Sequence, residues 1–491
     1  MGIVQKQGIR IALISYLGIL VGALNTMFIF PRVLGAEKHG LVILLLSIAT
    51  VFTQFVHLGV PNVIIRFYPY FAEKKKFIHR IAFQLPIMAL MLFGLFIFLL
   101  GDTVFHSFSL KSALLTSHSD YVLPLVVSLV LFEVLVGISR SELKTVFPSF
   151  LREFVLRVST LVLLGLHFVD YIDFTEFMFF WLGIYALNVA LMSLYLMVKG
   201  LAKFNFGWPL IDDRLLGRRM VNYGLVTLLT TSATILVNRI DILMLGYYLN
   251  LENVAFYTVA LFMATLIQIP ARSIMQIGKP LLAKAWERDD RDEIRQLYHK
   301  TALNQMIVGS LVFIGIWLNI DDVLLLVPEK YQGVQYVYFF IGLAKLFDVS
   351  CGINGGILVT SEKYRYDLLI NLLLIGLTLL TNMIFIPIYG IEGAALATAI
   401  SVIIYNLVKW YLLKKWFGFQ PFTFKFVVAL LIIGFCCVLI PLIPFPIEYI
   451  LLKILLKSIL IGLIYGGLVI GFNVSPNITN VFHVFKTKIG L

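Results

Sequence analysis

Blocks of about 20 apolar residues recur along this chain, and they leave few folds open. A helix of about 20 residues spans about 30 Å of hydrocarbon. Inside a bilayer the backbone must satisfy its own hydrogen bonds, so only helices or a closed barrel can cross. Barrel strands run to roughly 10 residues with alternating polarity. Stretches such as "LVILLLSIATVF" (41–52) and "IMALMLFGLFIFLL" (87–100) are too long and too uniformly apolar for that. Apolar residues make up 60% of the 491, whereas soluble domains hold roughly 45–50%. The chain is therefore expected to be an all-α integral membrane protein.

About 14 spans are predicted by length and apolarity, at 9–30, 40–61, 81–100, 121–140, 150–169, 174–198, 219–246, 253–277, 301–320, 332–358, 366–387, 391–412, 423–443 and 449–472. Lys and Arg gather in alternate loops: 66–80 with Lys74-Lys75-Lys76, 140–152, 199–219, 279–300, 363–365, 409–425 and the tail. The other loops carry mostly acids, among them Asp170, Asp173, Glu176, Glu252, Asp321, Asp322, Glu329, Glu392 and Glu448. The positive-inside rule then puts both termini in the cytoplasm and accounts for the net charge of +12 without nucleic acid. Loop 279–300 is charged and helix-permissive, and a short amphipathic helix is expected there at the inner surface.

The start, with Lys6 and Arg10 before an apolar run, looks like a signal peptide. The run is long, however, and ends in Phe30-Pro31-Arg32 without a small-residue cleavage site, so it reads as a retained first span. The three cysteines, Cys351, Cys436 and Cys437, and the eight histidines form no metal pattern, and no cofactor is expected. Asn477-Ile478-Thr479 matches a glycosylation acceptor by chance, lying in a cytoplasmic tail. No GxxxxGK[ST] loop is present, which argues against direct ATP use.

Two hairpins echo one another. "PRVLGAEKHGLVILLL" from Pro31 and "MLGYYLNLENVAFYTVAL" from Met244 each end a helix, turn outside and start a new span. Glu37 matches Glu252, and Gly40 matches Ala255. The offset is six spans, an even number, so the halves share one orientation, as parallel repeats about an axis along the membrane normal do. The predicted domains are a six-helix bundle at 1–200, a second at 201–415, and two extra helices with a tail at 416–491.

The stretch "NMIFIPIYGIEGAALATAIS" (382–401) is read as Pro387 ending one span, a tight outside turn around Gly390, and a new span opening with Gly393, Ala395, Ala397, Ala399 and Ser401. Small residues let helices approach closely in lipid, where no hydrophobic force drives them together.

These patches carry a resemblance. "IPIYGIEGAALATAIS", "VNRIDILMLGYYLNLENVAFYTVA" (237–260) and "FIFPRVLGAEKHGLVILLLSIATVFTQFVHLGVPNVIIRF" (28–67) resemble, in order and spacing, polysaccharide flippases of the multidrug/oligosaccharidyl-lipid/polysaccharide exporter superfamily. The resemblance implies two six-helix bundles facing a central cavity and alternating access. Its cargo would be an undecaprenyl-pyrophosphate-linked oligosaccharide, moved from the inner to the outer leaflet of a bacterial cytoplasmic membrane. Spans 13 and 14 would supply the two extra helices common in this branch. Membrane lipids and a polysaccharide polymerase or glycosyltransferases are the further partners implied; nucleic acid is not.

Ionisable groups within spans are costly and usually face protein or water. Glu133 and Arg157 lie at similar depths and are predicted close together, either as a structural ion pair or as a headgroup site with a modulating or proton-carrying acid. Lys345 and Asp348 sit one turn apart and can pair. Arg239 and Asp241, two residues apart, point to different faces. Arg10, Arg66 and Arg272 stand near predicted inner ends, where snorkelling suffices, but a guanidinium fork also suits pyrophosphate. The cavity candidates are thus Arg10, Arg66, Arg157, Arg239, Arg272 and Lys345, and the ion-coupling candidates are Glu133, Asp241 and Asp348. A cation-coupled drug exporter and a peptidoglycan-precursor flippase share the expected fold and remain alternatives. A membrane-embedded glycosyltransferase or polymerase ranks last, because the first outside loop is short and has no Asp pair.

Overall fold

The computed structural model describes residues 3–71, 75–109, 112–201 and 214–480. Lys74, most of the 199–219 loop and the end of the basic tail lie outside the described residues. Helix dominates, and no strand occurs among the described residues. Many large apolar side chains point outward, such as Phe98 at 85% exposure and Val438 at 69%. A water-soluble surface would not tolerate that density, and a lipid-facing one requires it.

The chain divides into two compact units, 1–255 and 256–491. In the first, α1 (Ile3–Ala23) continues through a π-helical segment, Leu24–Ile29, into the short turn Phe30–Val33. Gly35, at φ +73°, turns the chain into α2 (Gly35–Val56). Then follow α3 (Val60–Phe67), α4 (Lys75–Ser109) and α5 (Val122–Ser141). A helix entered at Val146–Phe150 passes through a second π-helical segment, Leu151–Val155, and becomes α6 (Leu156–Phe168). α7 (Phe174–Val198) and α8 (Arg214–Tyr248) complete the set. Asp173 starts α7 with a capping box: it accepts from the Glu176 amide at 2.6 Å, and Glu176 accepts from the Asp173 amide at 2.9 Å. Two of the acids read as loop markers thus close a helix end.

α9 (Leu251–Thr265) carries the boundary between the units. A single turn of 3-10 helix, Leu266–Gln268, leads into α10 (Ile269–Glu287), and α11 (Arg291–Trp317) follows. The 279–300 segment is therefore not a separate surface helix. It is the end of α10, a turn at 288–290 and the start of α11, where Asp290 accepts from the Glu293 amide at 2.9 Å. α12 (Gln335–Ser350) and α13 (Asn354–Thr360) meet at 49°. α14 (Arg365–Phe417), α15 (Phe424–Leu439) and α16 (Ile450–Gly471) end the chain. α16 docks on α11 through the Tyr465 hydroxyl, 2.7 Å from Ser310 Oγ and 3.1 Å from the Ile307 carbonyl.

Among the described residues, eleven helices are long and apolar enough to cross a membrane, or twelve if the α12–α13 pair is one span. That measure falls short of about fourteen, and two places account for the difference. The helix ending as α6 holds Arg152, Glu153 and Arg157 within its apolar run. α14 is a hairpin, not a rod. Thr381 Oγ1 lies 3.0 Å from Ser401 Oγ, whereas 20 residues of straight helix would separate them by about 30 Å. The turn is at Gly390, with φ 59° and ψ −132°, a region that excludes residues with a Cβ. Pro387 does not end the first arm as predicted; it lies within the helix. Transmembrane helices tolerate proline where neighbours satisfy the freed carbonyl. The small residues act as expected. Ala394, Ala395 and Ala397 are fully buried, and a Cβ on Gly393 would sit 2.0 Å from the Phe385 carbonyl oxygen.

The second predicted span also breaks, at 57–59, where Leu58 and Gly59 take φ 53° and 70°. This turn presses on α8: a Cβ on Gly59 would lie 2.5 Å from the Gly224 carbonyl oxygen. At the other end of α2, a Cβ on Gly40 would lie 1.8 Å from the Leu251 carbonyl oxygen, and one on Gly246 would lie 2.7 Å from Leu44 Cδ2. The two echoing turns therefore pack directly on each other.

Candidate functional site

A cluster of partly buried charges in the first unit lies around the π-helical segment at 151–155. Arg152 Nη2 donates to Glu133 Oε1 of α5 at 2.5 Å. Arg157 Nη2 pairs with Glu153 Oε2, one turn earlier, at 2.9 Å. The predicted Glu133–Arg157 pair is not formed. Arg152, within the π-helical segment, meets Glu133 instead. All four side chains are about one-quarter to two-fifths exposed. Arg140, at the end of α5, is close enough to feel both Arg152 and Glu133. His57, in the break between α2 and α3, feels Glu133 as well.

The other π-helical segment supplies the wall. Asn25 Nδ2 donates to the Arg157 carbonyl at 2.9 Å. Gly22 leaves room for the guanidinium, since a Cβ there would lie 3.1 Å from Arg157 Nη1. Single π turns inside α-helices often mark functional positions, and here one carries Arg152 and Glu153 while the other carries Asn25, which holds the Arg157 carbonyl. Arg140, Arg152 and Arg157 against Glu133 and Glu153 leave one net positive charge in an apolar setting. Such a cluster can hold an oxyanion by forked, charge-assisted hydrogen bonds.

In the first unit, Arg10 on α1 and Arg66 at the end of α3 are exposed. Arg66 stacks over the Tyr223 ring at 4.3 Å. Arg239 on α8 is half-buried and feels Tyr185 of α7. Asp241, two residues on, is buried at 9% exposure. In the second unit, Arg272 on α10 is exposed, and Lys345 and Asp348 on α12 are half-buried.

Asp348 anchors a polar network at the breaks in the second unit. It accepts from Gln268 Nε2 at 3.0 Å and from Asn406 Nδ2 at 3.0 Å. Asn406 in turn accepts from Asn354 Nδ2 at 2.9 Å, on the far side of the α12–α13 bend. Beside it, Lys409 pairs with Asp367 across the α14 hairpin at 3.1 Å. Lys409 also donates to Tyr405 Oη at 2.5 Å, and Tyr405 donates to Asn371 at 2.9 Å. Lys409 was expected in an inner loop but is buried at 4% exposure. A loop reading counts lysines without asking whether the helix carries them past the surface. The sequence reading also missed Arg152, Glu153 and Arg140. Their signal was available as three further charges at the edges of spans 4 and 5.

Residues 5–286 match the family model described as "Polysaccharide biosynthesis protein". An uncharacterized membrane protein of Methanocaldococcus jannaschii, MJ1068, is 22% identical over 59% of this chain and 57% of its own length. The capsular polysaccharide biosynthesis protein CapF of Staphylococcus aureus is 26% identical over 30% of this chain and 37% of its own. The chain thus matches between about a third and somewhat over half of the length of these curated relatives. Among solved structures, the lipid II flippase MurJ in an inward closed conformation aligns with a TM-score of 0.74 at 14% identity, covering 95% of this chain and all of that one. An inward-facing multidrug resistance transporter of the MATE family aligns with a TM-score of 0.62 at 14% identity, covering 83% and 98%. At that identity the likeness is one of fold.

Proposed function

Because the chain belongs to the polysaccharide biosynthesis protein family, whose fold here is that of membrane flippases and transporters, we propose that it carries an undecaprenyl-pyrophosphate-linked oligosaccharide from the inner to the outer leaflet of a bacterial cytoplasmic membrane. The carrying observation is the cluster of Arg140, Arg152 and Arg157 on apolar helices beside two π-helical segments. Pyrophosphate is an anion that guanidinium forks fit. The arginines already hold Glu133 and Glu153, so an arriving headgroup exchanges one oxyanion for another. Exchange keeps the net gain small, and a carrier must release what it binds.

In this reading the bundles are 1–200 and 201–415, with 416–491 appended, and both termini are cytoplasmic. Arg10 and Arg239 in the first unit and Arg272 and Lys345 in the second are the further headgroup candidates, and Glu133, Asp241 and Asp348 are the acids that would couple transport to an ion gradient. Arg66 stacks on the Tyr223 ring and is left out of this set. Polymerase and glycosyltransferases would act before and after the flipping step.

Two experiments test this. In cells lacking the protein, a complete polyprenyl-linked oligosaccharide should accumulate while the surface polymer disappears. In proteoliposomes, purified protein should move that lipid between leaflets, and Arg152→Gln combined with Arg157→Gln should stop it. Unchanged lipid intermediates with a rise in sensitivity to cationic dyes would replace this reading with a drug exporter.

A further inference from the structure

The first unit contains a second feature that the cargo reading leaves unused. A cavity of about 360 Å³ opens between α3, α4 and α8. Its walls are wholly apolar, with Val60 and Val63 from α3, Ile81 and Leu85 from α4, and Met220 and Leu228 from α8. It opens at the protein surface, where Leu85, Val221 and Leu225 on its rim are 38%, 60% and 54% exposed. Along α8 it runs from Gly217 to Leu228, about 16 Å at 1.5 Å per residue. That is close to one leaflet, half of about 30 Å.

Every wall carries arginine at the same end. Arg66 follows Val63 by one turn, Arg80 precedes Ile81, and Arg218 and Arg219 stand beside Gly217 and Met220. Arg66 is exposed and stacked on Tyr223, which lies between the lining residues Met220 and Gly224. The Arg80 Nε is buried with no hydrogen-bond partner, and so is Oε1 of Gln84, one turn further along α4. Glu142, a nearby acid, is occupied by the Tyr68 hydroxyl. An apolar slot one leaflet long, with arginines next to its lining residues at one end and a buried donor left over, suits a lipid with an anionic headgroup. We propose that it is a binding site for an anionic phospholipid of the inner leaflet, with one acyl chain in the slot and its phosphate at Arg66 and Arg80. A polyprenyl chain of cargo length would overrun the slot several times. The inference does not depend on the cargo reading.

The test uses the full chain in detergent, titrated with phosphatidylglycerol and with phosphatidylcholine of the same acyl chains, bound lipid being counted by native mass spectrometry. Phosphatidylglycerol should bind at least tenfold more tightly. Arg66→Gln and Arg80→Gln should each weaken it about fivefold, as expected for roughly one surface charge at a lipid headgroup, and leave phosphatidylcholine unchanged. Arg66→Lys should keep most of the affinity. Val221→Trp should fill the slot and lose both lipids at an unchanged unfolding temperature, and Leu225→Trp repeats the test if that variant misfolds. Equal binding of the two phospholipids, or no effect of either tryptophan, overturns the proposal. Saturation by undecaprenyl phosphate at concentrations where phosphatidylglycerol does not bind overturns it too, and would return the slot to the cargo.

Discussion

Replacing Lys409 with methionine should destabilise the second unit by about 3 kcal/mol. The Lys409 ammonium is 3.1 Å from Asp367 Oδ1, with side chains only 5% and 15% exposed. Removing one partner of a buried pair typically costs about 3–5 kcal/mol, because the other charge is stranded. The lower end applies here, since Asp367 keeps Asn371 Nδ2 at 3.0 Å and retains some contact with solvent. The change amounts to more than about a hundredfold in the folded-to-unfolded ratio. Methionine preserves the length of the stem and its packing. The decisive comparison is the double variant Lys409→Met with Asp367→Asn. It removes both charges, so it should recover about 2 kcal/mol of the loss. Reversible unfolding of the purified protein in a detergent titration, followed by tryptophan fluorescence, measures all three variants. If the single and double variants prove equally unstable, the loss comes from packing and the buried-pair argument is wrong. If the single variant matches the wild type within about 0.5 kcal/mol, a value typical of surface substitutions, the two residues do not meet across the hairpin at all.

Other perturbations have comparably definite outcomes. Gly390→Ala should cost roughly 1–3 kcal/mol in the same titration, the usual toll for a Cβ in a glycine-only region. Gly40→Leu should fail to give folded protein or should abolish transport, because its Cβ would start 1.8 Å from the Leu251 carbonyl oxygen; normal transport by a well-expressed variant would mean the two turns do not touch. Tyr465→Phe removes a hydroxyl shared with Ser310 and the Ile307 carbonyl, and should lower stability by about 1–2 kcal/mol without altering expression. Under the proposed function, Arg152→Gln should impair transport more than Glu133→Gln, since in that reading the first removes a headgroup ligand and the second only its counterion; the reverse order would favour Glu133 as the coupling acid.

The sequence displayed the membrane class and the family plainly, because apolar length and turn glycines are one-dimensional signals. Gly35 and Gly390 were legible as turns, and both take positive φ. The partners of buried charges were not legible. Glu133 pairs with Arg152, which lies within a π turn, and no pattern in the residues announces that turn. Pro387 misled in the opposite direction, since its effect on a helix depends on neighbours that the sequence does not show. Lys409 was hidden by a rule that assigns lysines to loops. Its burial became visible only once Asp367, far away in the chain, was brought beside it.

The hairpin at Gly390 also bears on how the protein is made. Each arm of α14 is about 40 Å long at 1.5 Å per residue, and the arms are joined through a single non-helical residue. Almost nothing hydrophilic lies at the tip; the nearest charge is Glu392, within the second arm. During synthesis the pair can therefore leave the translocation channel sideways as one unit. No polar segment has to be pushed through first, and Thr381 and Ser401 can meet before any later helix has emerged from the ribosome.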